Sequence, residues 1–311
     1  MIKSSQSTDI EGPAADTKQR TTASLDTFIE RPSRRASIWR QFQRHPGAMA
    51  GGCILLVLVF ASVFANLIAP YEPSFQIRGA TLQAPSFQHF FGTDQHGRDI
   101  FSRTLYGGRI SLRIGLISVA LAASFGTLLG ALAGYYGNWV DAVIMRFIDM
   151  LLALPGILLA LVIVAVLGPS VTNVMVAVGV SAVPAFSRVV RGSMLAAREE
   201  VYVDAARVIG CNDRSILGRH ILPNIVSPII VLATLNIATA IIIGASLSFL
   251  GVGVQPPTAE WGSMLSQGRD YLRGQWWIAT FPGLAIFITV LSINLLGDGL
   301  REALDPRASH S

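Results

Sequence analysis

The sequence predicts an all-α protein that crosses a membrane several times. Of its 311 residues, 51% are hydrophobic and only 14% are charged, and the mean hydropathy is +0.52. A soluble domain carries about 25% charged residues. The apolar residues are gathered in uncharged runs of roughly 20, the length that a helix needs to span a bilayer. We therefore expect a polytopic helical membrane protein.

Six apolar runs are predicted to be membrane-spanning helices. The first is AGGCILLVLVFASVFANLIA. The uncharged stretch 149–188 is long enough for two helices separated by LGPS, because Gly and Pro interrupt helices. If that stretch is not a pair, the count falls to five. The runs lie within these ranges: 44–72, 113–141, 149–188, 228–251 and 273–298.

The arginines predict that both termini are cytoplasmic. Arginines precede the first run, and more lie in the 188–224 loop, as expected of segments that stay in the cytoplasm. The acids and arginines of segment 70–107 are balanced, which weakens this bias. The predicted parts are a cytoplasmic, partly disordered tail, a first helix with an extracytoplasmic segment, a five-helix transmembrane domain and a cytoplasmic tail. Their bounds are 1–44, 45–107, 108–300 and 301–311.

Charge and cysteine content argue against several other classes. The net charge is +5, but the arginines lie between apolar runs rather than in one basic patch, so we predict no nucleic-acid binding. Cys53 lies in an apolar run and Cys211 in a polar loop, so no disulfide is expected. No C-x-x-C spacing is present, and we predict no metal site.

Small and charged residues within the runs predict how the helices pack. Gly126, Gly130 and Gly134 fall on one helix face and would let a neighbouring helix approach closely. Asp149 is expected to pair with Arg146, three residues earlier, with a proton relay as the alternative. Pro155 is expected to kink the same helix.

The cluster GTDQHGRD at 92–99 contains Asp94, His96, Arg98 and Asp99. No nucleophile or metal-ligand spacing accompanies these side chains. We interpret the cluster as a loop turned by glycine and held by Asp–Arg pairs, with His96 facing solvent, rather than as a catalytic site.

Three tryptophans in or after the segment 251–276 have two interpretations. Trp and Tyr are enriched where a membrane meets water, so they are interpreted as interfacial anchors. The alternative is contact with an extracytoplasmic partner. The three residues are Trp261, Trp276 and Trp277.

A polar stretch, YVDAARVIGCNDRSILGRHILPN at 202–224, separates the fourth and fifth runs. Residues 193–209 are rich in helix formers, and Gly210 suits the left-handed residue that ends a helix. Ala205 and Ala206 leave one side of this helix slim enough for another surface to approach.

A second short helix is predicted over 214–220. Asn212 or Asp213 can cap its start, and Pro223 either ends it or begins the next span. The stretch is thus predicted to be two helices joined at a glycine corner. It is either a surface hairpin or a docking element for a cytoplasmic partner.

Part of this stretch resembles the EAA loop of ABC importer permeases, whose pattern is Glu-Ala-Ala, three residues, Gly, nine residues, an aliphatic, one residue, and Leu-Pro. DAARVIG followed by HILP keeps that spacing. Asp204 stands where the pattern has Glu, and His220 stands where it has an aliphatic residue. The matching positions are Asp204, Ala205, Ala206, Gly210, Leu222 and Pro223.

Three further stretches resemble the second, C-type permease subunit of dipeptide, oligopeptide and nickel importers. They are FGTDQHGRDIFSRTLYGGRISL at 91–112, SLSFLGVGVQPPTAEWGSML at 246–265 and FPGLAIFITVLSINLLGDGLREALDPR at 281–307. The stretches VPAFSRVVRG, PSFQHFFGTD and GTLLGALAGYYG are most similar to the glutathione-import branch. The resemblance runs from about residue 34 to residue 307.

This resemblance implies a type I ABC importer permease fold with six transmembrane helices in the inner membrane. It implies a homologous second permease, two ATPase subunits and an extracytoplasmic solute-binding protein as partners, besides the lipid bilayer. Segment 191–224 would be the loop that couples the permease to an ATPase. Substrate would cross by alternating access, along spans after residue 110.

ATP and magnesium are expected in the partner ATPases. The chain has no phosphate-binding G-x-x-x-x-G-K-[ST] motif, so we predict that it is not itself an enzyme and holds no cofactor. The alternative function is an ion-gradient-driven secondary transporter, which usually shows paired broken spans and buried mid-span acids. A membrane-embedded enzyme would need titratable residues that converge within the spans.

Overall fold

In the computed structural model, residues 45–304 are described, and they form helices joined by turns. The predictions for the N-terminal tail 1–44 lie outside the described residues. Within 45–304 the β-type pairing is limited to an isolated bridge between Thr93 and Asp99. The α-helices are α1 (Pro46–Val63), α2 (Ala65–Ile68), α3 (Ile100–Tyr136), α4 (Asn138–Leu152), α5 (Gly156–Leu167), α6 (Val171–Arg198), α7 (Val201–Val208), α8 (Asp213–Ser215), α9 (Leu222–Phe249), α10 (Trp261–Gly268) and α11 (Trp277–Leu304).

Five helical stretches within residues 45–304 are long and apolar enough to cross a bilayer. A sixth is obtained if α4 and α5 are counted as one span, although they meet at an angle of 88°. The break between them contains Pro155, which confirms the prediction that the chain bends there. The five stretches are Pro46–Val63, Ile100–Tyr136, Val171–Arg198, Asp213–Phe249 and Trp277–Leu304.

The second span begins earlier than its charge pattern predicts. The sequence places its start after Arg113, whereas α3 starts at Ile100. The carboxylate of Asp99 accepts a hydrogen bond from the backbone N–H of Ser102 at 2.8 Å, and this cap fixes the start of the helix. Arg113 therefore lies inside a membrane-spanning helix and not at its edge.

The long helices α3 and α6 pack against each other along the glycine face that the sequence predicts. A Cβ atom added at Gly126 would lie 2.4 Å from the Cβ of Phe186, and one at Gly130 would lie 2.4 Å from the carbonyl oxygen of Ser187. Such distances are too short for any side chain, so the predicted close approach of the two backbones is confirmed.

The bundle has two ends, which we call inner and outer after the predicted orientation. At the inner end His45 pairs with Glu302, so the start of α1 lies beside the end of α11. The last four residues of α11, 301–304, extend into the predicted C-terminal tail. The outer end carries the segments 64–99 and 250–276. The inner end also carries the polar segment between α6 and α9.

Candidate functional site

The polar segment at the inner end begins with a break in the helix. Residues 193–209 were expected to form one helix, and this prediction is wrong. Glu199 and Glu200 separate α6 from α7, and Glu200 is extended with φ −78° and ψ 143°. The change of direction buries Val203 and Ala206. Burial of these side chains outweighs the helix propensity of the intervening residues.

Gly210 forms the corner that the sequence predicts. Its φ of +85° is in the left-handed region, where glycine is favoured. Its N–H donates to the carbonyl of Arg207, and the N–H of Cys211 donates to the carbonyl of Ala206, both at 3.0 Å. These two bonds are the Schellman motif that closes a helix at a glycine.

The second arm of the segment runs directly into the fifth span. The side chain of Asn212 accepts a hydrogen bond from the backbone N–H of Ser215 at 2.9 Å and caps α8. A π-helical turn, Ile216–Ile221, then continues into α9. The predicted short helix 214–220 is therefore the first part of a longer stretch. Pro223 lies in the first turn of α9, directly after the π-helical turn.

The two faces of α7 differ in their surroundings. Val203 and Ala206 point inward, whereas Asp204 and Ala205 are exposed. The two alanines expected to share a slim side therefore differ, since Ala205 is exposed and Ala206 is buried. The inward pair packs against a buried cluster that joins the ends of α6 and α9. Its other members include Val190, Met194, Ile216, Ile221 and Ile225.

The outer face of α7 also carries apolar side chains at both of its ends. Val201 is 82% exposed at the start of the helix, and Val208 is 87% exposed at its end. Single exposed apolar residues are common on protein surfaces, but here they flank the exposed Asp204 and Ala205 on one short helix. The face is therefore mixed in character, apolar at its ends and polar between them.

Two hydrogen bonds tie the corner to the inner end of α3. The hydroxyl of Tyr135 donates to the carboxylate of Asp213 at 2.7 Å. Arg198 donates from Nη1 to the carbonyl of Tyr135 at 3.1 Å. The end of α3 therefore contacts both the residue that ends α6 and the residue that begins α8.

Two ion pairs connect α4 to α6 just before the polar segment. Arg191 donates from Nε and Nη2 to the two carboxylate oxygens of Asp141, each at 2.5 Å. Arg188 donates to Asp149 at 2.7 Å. The expected pairing of Asp149 with Arg146 is therefore wrong. Arg188 of the neighbouring helix α6 pairs with Asp149 instead.

The six residues predicted to couple the chain to a partner differ in exposure. The exposed carboxylate of Asp204 lies 3.2 Å from the guanidinium of Arg207. Ala206 is buried and contributes to the cluster beneath α7, and Leu222 is half-buried against the same cluster. The exposed members are Asp204, Ala205, Gly210 and Pro223.

Comparison with known families decides the class of the protein. A family model described as the binding-protein-dependent transport system inner membrane component matches residues 126–310. A second model, the N-terminal TM domain of oligopeptide transport permease C, matches residues 33–85. The chain belongs to the family of binding-protein-dependent ABC importer permeases.

Close relatives and solved structures agree with this family. The permease is 51% identical over 270 residues to the glutathione transport system permease protein GsiD of Escherichia coli and to that of Shigella boydii, covering 86% of this chain and 89% of each relative. A structure of the MetNI methionine ABC transporter is similar with a TM-score of 0.51 and 17% identity, covering 65% of this chain and 96% of that chain. A structure of an amino acid ABC transporter is similar with a TM-score of 0.52 and 14% identity, covering 65% of this chain and 94% of that chain. The predicted importer permease fold and the prediction of a transport subunit rather than an enzyme are confirmed.

At the outer end of the permease, the glycine-turned loop is held by the predicted Asp–Arg pair. Arg98 Nε lies 2.6 Å from the carboxylate of Asp94, and His96 is exposed, as predicted. The pair itself is buried, which the sequence pattern does not indicate. Arg98 also donates to Gln267 Oε1 at 2.8 Å, which joins the loop to α10.

Two of the three tryptophans are not interfacial anchors, so that prediction is wrong for them. Trp261 is buried and its indole N–H donates to the carbonyl of Thr104 at 2.9 Å. Trp277 is also buried and donates to the carbonyl of Thr93 at 3.2 Å. Trp276 is 51% exposed and is compatible with the predicted role. Buried tryptophans need such partners for their N–H groups.

Glu260 is a buried acid that the sequence analysis missed. Its carboxylate caps α10 by accepting hydrogen bonds from the backbone N–H groups of Gly262 and Ser263 at 2.9 and 2.8 Å. Burial raises the pKa of this carboxyl, although the two N–H groups and the hydroxyl of Ser111 favour its charged form. The motif around it, AEWG, holds an N-cap acid before a helix and could have indicated the cap.

The part of the permease between residues 45 and 304 offers no group of three or more His, Cys, Asp or Glu side chains that could hold a metal ion.

Proposed function

We propose that this permease imports peptides or glutathione by alternating access and that segment 191–224 receives the energy of ATP hydrolysis from an ATPase subunit. The observation that carries the proposal is the geometry of α7. One face of this short helix is fixed to the ends of two spans, and the other is open to a partner.

A displacement of α7 would be transmitted directly to the membrane spans. Val203 and Ala206 lie in the same buried cluster as residues of α6 and α9, and protein interiors are too closely packed to absorb such a movement. Asp204, Ala205 and Gly210 would contact the ATPase. Ala206 and Leu222 would pack in the cluster beneath α7, and Pro223 would lie at the start of α9, the span that moves with it. Each nucleotide state of the ATPases would favour a different arrangement of the spans.

The proposed complex contains a homologous second permease, two ATPase subunits that bind ATP and magnesium, and an extracytoplasmic solute-binding protein. The family description names the binding protein and the inner membrane. Both termini would be cytoplasmic, which puts α7 on the side where ATP is available. The outer segments 64–99 and 250–276 would face the binding protein.

Peptides or glutathione are the proposed substrates because relatives with 51% identity are glutathione transport permeases. The second family model is that of an oligopeptide permease. Glutathione is a tripeptide, and a tripeptide also falls within the class of oligopeptides, so a tripeptide fits both names.

Uptake by the complete complex in proteoliposomes tests this proposal. We expect uptake of radiolabelled glutathione, di- or tripeptides that requires ATP inside the compartment that α7 faces. The competing ion-gradient mechanism predicts uptake that continues after ATP depletion and stops when the gradient is collapsed. That result, together with failure of any ATPase to co-purify with the permease, would reject the proposal.

A further inference from the structure

A cleft of about 670 Å³ opens between α1, α3, α9 and α11, away from the polar segment. Its walls are mainly aliphatic, and two arginines of α3, Arg109 and Arg113, line it. No residue that lines it belongs to segment 191–224. The aliphatic side chains that matter here are Leu55, Val59, Leu116, Ile237 and Leu296.

The two arginines lie toward the outer end of the cleft. Arg109 donates from Nε and Nη2 to the carbonyls of Ser62 and Val63, both at 2.7 Å. These carbonyls end α1, whose 18 residues rise about 27 Å and so nearly cross a hydrocarbon core of about 30 Å. Arg113 is one turn further in, and a side chain of this length can reach back to the membrane surface.

Within residues 45–304, the positive charge in the cleft has no counter-ion. Arg113 is exposed and makes no hydrogen bond or ion pair with residues 45–304, and Nη1 of Arg109 also makes none there. No acidic residue lines the cleft. A guanidinium at this depth is costly unless it meets an anion or water.

The length of the cleft matches one leaflet. Leu55 and Val63, which both line it, are eight residues apart on α1, or about 12 Å along the axis. Half of the hydrocarbon core is about 15 Å. A suitable ligand therefore has an anionic group at the membrane surface and an apolar chain that reaches toward the middle of the bilayer. A charged peptide would leave its polar groups without partners along these walls.

We propose that the cleft binds an anionic phospholipid of the outer leaflet. Its phosphate would accept hydrogen bonds from Arg109 and Arg113, and one acyl chain would lie between Val59, Leu116 and Ile237. Bidentate recognition of phosphate is a property of the planar guanidinium group. The lipid would hold α1 against the rest of the permease, because Arg109 contacts both the phosphate and the carbonyls of α1.

Retention of phosphatidylglycerol by the purified complex, measured by native mass spectrometry, tests the proposal. Arg113→Gln removes one phosphate ligand without breaking any hydrogen bond or ion pair within residues 45–304, and we expect retention to fall by roughly tenfold, since a charge-assisted hydrogen bond is lost. The control is Arg146→Gln, because Arg146 is exposed on α4 and does not line the cleft. Equal retention by both variants and by the unaltered complex would overturn the proposal.

A steric variant separates the acyl chain from the headgroup. Val59→Trp fills the cleft and should displace the lipid, whereas Val57→Trp, on an exposed position of α1 outside the cleft, should not. Phosphatidylcholine should be retained less than phosphatidylglycerol, and glycerophosphoglycerol, which has no acyl chain, should not compete. Competition by the chainless compound would mean a site for a free anion. Disulfide cross-linking of Val59→Cys to a cysteine introduced into the second permease would mean that a protein helix fills the cleft. Either result would reject a lipid site.

Discussion

Gly210 is the residue on which the shape of the polar segment most depends. A Cβ added there would meet no atom within 4 Å, so space does not explain the glycine. Its φ of +85° does, because a side chain in the left-handed region costs about 1–2 kcal/mol. The backbone conformation at the corner, and not packing, therefore explains why this residue is glycine.

Gly210→Ala should weaken coupling while membrane insertion stays intact. The strain of the left-handed residue would loosen the corner, and Gly210→Pro should abolish coupling, because proline fixes φ near −65° and removes the N–H bound to Arg207. ATP-dependent uptake by the reconstituted complex measures the effect, and membrane fractionation measures insertion. Gly218→Ala is the matched control, since Gly218 is also exposed with open space but has no positive φ. Unchanged uptake in Gly210→Pro would contradict a coupling role.

Glu260 should make the stability of the permease depend on pH. Because burial raises its folded-state pKa above the ordinary value of 4.5, the folded state keeps a proton that the unfolded state has lost. Stability should therefore fall as the pH rises from about 4.5 through the raised pKa, and it should level off above that pKa. Thermal unfolding at a series of pH values checks this.

Two variants isolate the contribution of Glu260. Glu260→Gln should reduce this dependence of stability on pH. It should also lower the midpoint of thermal unfolding at every pH, because an amide N–H would face the N–H of Ser263. Glu72→Gln changes an exposed carboxyl and should leave the profile as it was. A Glu260→Gln profile parallel to that of the unaltered permease would refute the assignment.

The sequence predicted the corner glycine but not the burial of its neighbours. Gly210 could be recognised because a glycine after a helix-forming stretch has one common use. Ala205 and Ala206 are chemically the same, so only the direction of α7, set by the break at Glu199 and Glu200, decides which of them is buried. The same holds for Trp261, whose burial depends on α3 and α10 meeting.

At the scale of elements, α4 and α6 are joined by two ion pairs of unequal exposure. The side chains of Arg191 and Asp141 are 34% and 20% exposed, whereas those of Arg188 and Asp149 are both 57% exposed. The first pair also has bidentate geometry. Solvent screens the attraction between two charges less where the pair is less exposed, and bidentate geometry adds to it, so the first pair should have the larger coupling energy.

A double-mutant cycle on Asp141→Asn and Arg191→Gln should give a coupling energy of up to about 1 kcal/mol. The same cycle on Asp149→Asn and Arg188→Gln should give a value near zero, because that pair is more exposed to solvent. Each cycle compares the free energies of unfolding, measured in mixtures of detergent and SDS, of the unaltered permease, the two single variants and the double variant. A larger coupling energy for the exposed pair would show that burial does not rank these contacts.

Element boundaries were predicted less well than element number. Charged residues bracket α1 correctly, at Arg44 and Glu72. The same rule fails for α3, because Asp99 caps the helix 14 positions before Arg113. It also fails for Asp149, whose partner Arg188 is distant in sequence. Pairs between helices follow from packing, which a local pattern does not contain.

At the scale of the whole molecule, the orientation in the membrane is open to a direct test. Cys211 follows the glycine corner and is partly accessible, whereas Cys53 lies on α1. In a Cys53→Ser background, a membrane-impermeant maleimide should label Cys211 in inverted vesicles and leave it unlabelled in intact spheroplasts. Labelling from the periplasmic side would place α7 out of reach of any cytoplasmic ATPase.

The right-angled corner between α4 and α5 interrupts the helix within the predicted third span. Leu154 and Pro155 are exposed at the break, and lipid cannot supply a hydrogen bond to any backbone group that a helix break leaves without a partner. The corner must therefore border either water or the second permease. The 12 residues of α5 rise only about 18 Å, against about 30 Å for the full hydrocarbon core. Where water borders the corner, the dehydrated barrier that a polar solute must cross beside α5 is little more than half the thickness of the surrounding bilayer.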